Sequence, residues 1–246
     1  MLVSVIIPYF NDEININKSV FSALNQTYKK IEIIIVDDEN SFKSFEILKK
    51  FKNKKKIKII RTNSNLGVAR ARNLGIRKSK GKLIAFLDSD DFWKKNKLSE
   101  QVLAFKNKDI DVCYSNYYGI VDDNRVIYSV EPPREMNFKK LLKSCPISCS
   151  TVLIKKNILK KNCFRNLKTK EDYLLWLELS KKNYKFFGIN KYLSFYRIRN
   201  KSLSSLHLNK LFSAFKIYYY YLKFNFFISL LLISRLYINA FIKKYL

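Results

Sequence analysis

A chain of 246 residues with 48% hydrophobic side chains has enough apolar surface for a buried core, which excludes global disorder, and only five glycines and four prolines exclude collagen-like or low-complexity designs. The formal charge of +28 calls for polyanionic partners, whether nucleic acid, anionic lipid headgroups or phosphorylated substrates, although a coding bias toward lysine, asparagine and isoleucine accounts equally well for much of the excess. Cys113, Cys145, Cys149 and Cys163 form no CxxC pair and His207 is the single histidine, so no zinc set is offered and buried thiols in a reducing cytoplasm are expected.

Leu2 to Pro8 is a short run rich in valine and isoleucine, and Ile31 to Val36 is another. Each is bounded by polar turn residues, as expected of strands buried on both faces. The first is too short for a signal peptide and has no cleavage site. Asn17 to Thr27 reads as a helix, Ile57 to Arg61 as a strand, and Val68 to Lys78 as a helix stopped near Gly81. Leu83 to Leu87 forms a fourth strand that runs into Asp88, Asp90 and Asp91. Alternation of this kind predicts an α/β fold with a parallel sheet, whose ligands gather beyond the carboxyl ends of the strands. Asp37 and Asp38 follow the second strand and the Asp88 group follows the fourth, so two acidic clusters are expected to face one crevice. Like charges gathered there call for a cation or a functional reason.

Further strand-like pieces follow at Val112 to Tyr118 and Ser150 to Ile154, separated by a loop at Glu131, Pro132 and Pro133. Glu171 to Lys182 has the apolar spacing of an amphipathic helix, with Glu171 and Asp172 in its first turn. The last forty residues, rich in phenylalanine, tyrosine, leucine and lysine, read as a separate helical, basic and aromatic extension. An in-plane helix pair on an anionic membrane surface suits it better than a span, which Arg235 would make costly. Ordinary core packing is the other reading of this segment.

Five segments in order carry a resemblance: VSVIIPYFN from Val3 to Asn11, IVDD ending at Asp38, NLGVARARN from Asn65 to Asn73, DSDD from Asp88 to Asp91, and Glu171-Asp172-Tyr173. Together they resemble family 2 glycosyltransferases over residues 1 to 205. The resemblance implies a GT-A, Rossmann-like fold with a mostly parallel sheet flanked by helices. It also implies three parts: a nucleotide-sugar-binding half at 1–105, an acceptor and catalytic-base half at 106–205, and the extension at 206–246.

By the same resemblance Pro8, Tyr9, Phe10 and Asn11 hold the nucleotide, with Asp37 and Asp38 at the base. A carboxylate there accepts the imide N–H of a uracil ring. Asp88, Ser89 and Asp90 correspond to a DxD motif in which Asp90, with Asp88, coordinates Mn²⁺ or Mg²⁺ on the donor diphosphate; hard oxygen ligands suit such an ion, and the ion stabilises the leaving group. Arg72 is expected at donor phosphate or ribose. Asp172 corresponds to the catalytic base, helped by Glu171, since a sugar hydroxyl is a poor nucleophile until its proton is taken. Arg199 stands where the family often has histidine, and it can offer charge to the diphosphate but cannot ligate the ion.

The expectation is therefore an inverting, metal-dependent glycosyltransferase that uses a UDP-sugar and a carbohydrate or lipid-linked acceptor in bacterial surface-polysaccharide assembly. It would sit at the cytoplasmic face of the membrane and bind no nucleic acid. The alternatives are a basic nucleic-acid-binding module, against which the acids at the strand ends argue, and a nucleotide-binding domain of this shape without turnover.

Overall fold

The computed structural model describes residues 1–121, 123–198 and 203–245, with side chains in the last stretch described over 209–239. In chain order the strands are β1 (Val3–Tyr9), β2 (Ile31–Asp37), β3 (Ile57–Arg61), β4 (Leu83–Phe86), β5 (Phe92–Trp93), β6 (Val112–Ile120), β7 (Val126–Val130), β8 (Glu135–Met136), β9 (Leu153–Lys155) and β10 (Phe186–Arg197). The helices are α1 (Ile16–Leu24), α2 (Phe42–Lys49), α3 (Val68–Lys78), α4 (Lys97–Asn107), α5 (Phe138–Lys143), α6 (Glu171–Lys181), α7 (Leu203–Phe215) and α8 (Phe226–Tyr245). A π-helical turn, Lys216–Tyr221, extends α7.

One sheet runs through the molecule in the order β3-β2-β1-β4-β9-β6-β10-β5. The strands β3, β2, β1 and β4 are mutually parallel, as the alternation with helices predicts. β1 and β4 are buried throughout and β2 nearly so, matching their unbroken apolar runs. Past β4 the order becomes mixed: β9 lies antiparallel between β4 and β6, and β10 runs parallel to β6. The two halves read at 1–105 and 106–205 thus share one continuous sheet.

Apolar cores cover both faces. On one, α1 and α4 pack through Ile16, Val20, Leu98 and Val102 against Val5, Ile7 and Ala85. On the other, Ile6, Ile84 and Phe86 meet Trp176 and Leu174 of α6. Gly75 of α3 rests so close to β1 that a Cβ there would lie 2.5 Å from Ile6 Cγ2, so the helix can approach the strand only with glycine at that point.

The C-terminal segment is part of this body. Ala214, Ile217, Tyr218, Ile233 and Leu236 belong to the same core cluster as α6. The Tyr218 and Tyr173 hydroxyls lie 2.8 Å apart, and Asn239 Nδ2 donates to the Lys143 carbonyl at 2.7 Å. The buried apolar side chains from Ala214 to Leu236 thus share a core with α6. Among the described residues no helix is long and apolar enough to cross a membrane. All four cysteines are free thiols, three of them buried.

Candidate active site

The parallel register sets Tyr9 beside Asp37 and Ile6 beside Phe86, so the acidic turns after β2 and β4 emerge at one sheet edge. A cleft of about 1010 Å³ opens there. Pro8, Tyr9, Phe10 and Asp38 line it from one side, Arg72, Asp88, Ser89 and Asp90 from its floor, and Glu171 and Asp172 from α6. Acidic residues separated by more than eighty positions in the chain thus share one cavity.

Each carboxylate has its own surroundings. Asp38 is 3% exposed and accepts the backbone N–H groups of Leu66 and Gly67, both at 2.8 Å. Gly67 has φ of 81°, in the region glycine alone adopts without strain, and α3 starts immediately after it. Asp38 therefore holds the turn that launches α3 and, with it, Arg72. Asp91 is buried and accepts the Arg197 N–H at 2.9 Å, with its acid pushed well up by burial and then by Asp90 and Asp88.

Arg72 links the halves of the site. Its guanidinium is buried and donates to Asp88 Oδ1 at 2.6 Å and to Glu171 Oε1 at 2.5 Å. One rigid fork therefore ties the DSDD loop to the start of α6, as only a guanidinium's planar donors can. Next to it, the Asp172 carboxyl is raised to about 7, first by burial and then by the Glu171 charge, with Arg72 acting in the opposite sense. A carboxyl held near neutral pH suits proton abstraction.

The chain is similar to known proteins. A family model for glycosyl transferase family 2 covers residues 4–163. The chain belongs to glycosyl transferase family 2. It is 40% identical over 205 residues to the UDP-Glc:alpha-D-GlcNAc-diphosphoundecaprenol beta-1,3-glucosyltransferase WfaP of Escherichia coli, covering 83% of this chain and 80% of that protein. It is 33% identical over 222 residues to the putative teichuronic acid biosynthesis glycosyltransferase TuaG of Bacillus subtilis, covering 89% and 87% of the two chains. In fold it is similar to the mannosyltransferase PcManGT from Pyrobaculum calidifontis, solved with GDP-Man and Mn²⁺: TM-score 0.70, 14% identity, 91% of this chain and 64% of that one. The chain is thus a glycosyltransferase of GT-A fold.

Against this family background, several residues stand differently from their sequence reading. Asp37 is fully buried and turned into the protein, accepting Arg61 Nε at 3.1 Å and Ser44 Oγ at 2.8 Å, and it is absent from the cleft lining. Asn11 is also absent from the lining; it takes a left-handed backbone, φ 47°, and its N–H donates to Glu39 at 3.0 Å. Arg72 is committed to two carboxylates, where the sequence suggests a phosphate contact. Arg199 lies outside the described residues. The nearby tie to the DSDD loop is made by Arg197, whose Nε donates to the Asp90 carbonyl at 3.1 Å.

Sequence reasoning missed Arg197, the cleft-lining tyrosines Tyr117, Tyr128 and Tyr196, and Lys168, Lys170 and Lys210. Tyr196 and Arg197 stand in one Tyr-Arg-Ile-Arg run at 196–199, which was a usable signal for both, but the others carry no local signature. Trp93 and Trp176 are both buried in core, the first donating its indole N–H to the Ser150 carbonyl at 2.7 Å.

Proposed function

We propose that this protein moves a glycosyl group from a UDP-sugar to a hydroxyl of a diphospholipid-linked sugar, with inversion, during assembly of a bacterial surface polysaccharide. The observation that carries the reading is the Asp172 carboxyl, raised to about 7 and tied through Glu171 and Arg72 to the DSDD loop. The named activity of the WfaP relative supports the donor and acceptor classes.

In the reaction, Asp172 takes the proton of the acceptor hydroxyl as that oxygen bonds the anomeric carbon. The carbon–oxygen bond to the diphosphate breaks on the opposite face, and its electron pair leaves with UDP. A single displacement inverts the centre. Pro8, Tyr9 and Phe10 border the nucleotide. Asp38 accepts the uracil imide through lone pairs beyond those that hold Leu66 and Gly67, since an ionised carboxylate has about four acceptor sites.

Among the described residues no three carboxylate, histidine or cysteine side chains converge as a closed metal site. The chain instead offers one or two carboxylates, which fits a magnesium or manganese ion completed by diphosphate oxygens and water. Arg72 already engages Asp88, so Asp90 is the principal ligand and Asp88 the secondary one. Once bound, the ion would stabilise charge on the departing diphosphate.

The outer face of α7, the π turn and α8 supports placement at the inner membrane surface. Phe212, Tyr220, Phe227 and Leu231 are 66%, 62%, 80% and 68% exposed. Exposed Lys216 and Lys223 stand among them, and no aspartate or glutamate follows Glu178 in the chain. An apolar aromatic face carrying lysines and no acids fits an anionic bilayer interface.

The test is transfer from UDP-glucose and other UDP-sugars to an N-acetylglucosamine diphospholipid, with and without Mn²⁺. Asp172→Asn should lower turnover by about 10²–10⁴-fold, the usual worth of a general base, while leaving UDP affinity within about twofold. Undiminished transfer by that variant would remove Asp172 from the mechanism.

A further inference from the structure

The cleft continues past Asp172 to a wall that the catalytic groups leave unused. Lys168, Thr169 and Lys170 approach along the loop before α6, and Lys210 reaches in from α7. Lys170 has φ of 64°, a left-handed conformation that is strained for a non-glycine residue and that concentrates at functional sites. Its ammonium stands 5.8 Å from the Tyr173 ring centre and 5.6 Å from that of Tyr237, so α6 and α8 together hold it over two aromatic faces. Burial pushes this ammonium down from the ordinary lysine range; Cys145 and Asp172 oppose that, and the like charge of Lys210 adds to it. Among the described residues none of the three lysines forms a carboxylate ion pair. Thr169 Oγ1, at the same wall, is buried without a hydrogen-bond partner.

Two ammonium groups held near each other beside an unmatched hydroxyl form a site for a multiply charged oxyanion. In the reaction proposed above, the donor diphosphate lies by Asp90. We infer that Lys170 and Lys210, with Lys168 at the rim and Thr169 donating its hydroxyl, bind the diphosphate of the lipid-linked acceptor. One sugar unit then fills the space between that diphosphate and Asp172. The C-terminal segment supplies Lys210 and Tyr237 to this subsite, and its aromatic outer face carries the site to the bilayer from which the lipid chain emerges. The inference rests on the diphospholipid acceptor proposed above, and it adds which residues read the acceptor's charge.

Geranyl diphosphate is a suitable probe, titrated into the full chain with the donor end saturated by UDP and Mn²⁺. The parent should bind it, Lys210→Gln should weaken binding about tenfold or more, and the Lys170→Gln/Lys210→Gln pair should weaken it further, as expected for lost charge-assisted contacts. Lys210→Arg should retain most of the affinity. UDP affinity measured on the same samples should stay within twofold, which also reports that each variant is folded. In transfer assays KM for a diphosphate-linked acceptor should rise with little change for the same sugar on an uncharged octyl chain. Equal geranyl diphosphate affinity in parent and double variant would overturn the assignment, as would equal displacement of the probe by dihexanoylphosphatidylglycerol, which would give these lysines to headgroups. Either result can occur while Asp172-dependent transfer persists, so it would leave the proposed reaction standing.

Discussion

Arg72→Met tests the strut that joins the two halves of the site. The substitution keeps most of the apolar stem but removes a buried cation bonded to Asp88 and Glu171 at 2.6 and 2.5 Å. Taking one partner from a buried ion pair costs about 3–5 kcal/mol, because the remaining charge is left uncompensated. Here the lower end applies: the Asp88 side chain is 27% exposed and keeps contact with water, whereas that of Glu171 is 9% exposed. At about 3 kcal/mol, and 2–4 °C for each kcal/mol in a chain of this size, the midpoint should fall by about 6–12 °C. Differential scanning calorimetry reads the shift directly. The companion Arg72→Met/Glu171→Gln should recover at least half of it, since the stranded charge is gone, and the cycle isolates the coupling. Transfer should remain low in both, because α6 and the DSDD loop are no longer held in register and a displacement of about 1 Å can cost 10²-fold. A midpoint within 2 °C of the parent for Arg72→Met would refute the claim that this residue carries the junction.

The pH profile of kcat/KM should rise about tenfold per unit up to about 7 and then level, since Asp172 acts only when ionised and its carboxyl is raised to about 7. Glu171→Gln should move that limb to lower pH, because the Glu171 charge is the second cause of the elevation; an unmoved limb would assign it to another group. Asp38→Asn should destabilise by about 1–3 kcal/mol in thermal denaturation, as an amide can accept only one of the Leu66 and Gly67 N–H groups with its oxygen and turns a donor toward the other. Phe227→Ser with Leu231→Ser should release the protein from phosphatidylglycerol vesicles in a sedimentation assay without lowering its midpoint, both side chains being more than two-thirds exposed.

Much of the nucleotide half was legible along the chain. β1, β2 and β4 are buried on both faces, so their apolar runs are unbroken, and Phe10, Asp38 and Asp88, just beyond their ends, meet in the cleft. The helices α2 and α4 went unread: each buries only a narrow stripe, and α2 begins with a Ser41 and Ser44 capping box where the usual glutamate or glutamine is replaced by serine. β10 was equally hidden, as its register against β6 shifts twice along its length.

What the sequence determined by itself was local: the strand-ending acids, the glycine before α3, and the paired acids opening α6, each written in consecutive residues. Which acid lines the cleft and which is turned into the protein was decided only in three dimensions. Asp37 and Asp38 are neighbours, yet alternation along the strand end turns one toward Arg61 and leaves the other under Leu66 and Gly67. Arg72 meets Glu171 across 99 positions, and Tyr218 meets Tyr173 across 45. No periodicity or motif spans such separations, because those contacts arise from how α3, α6 and the C-terminal helices pack on a common sheet.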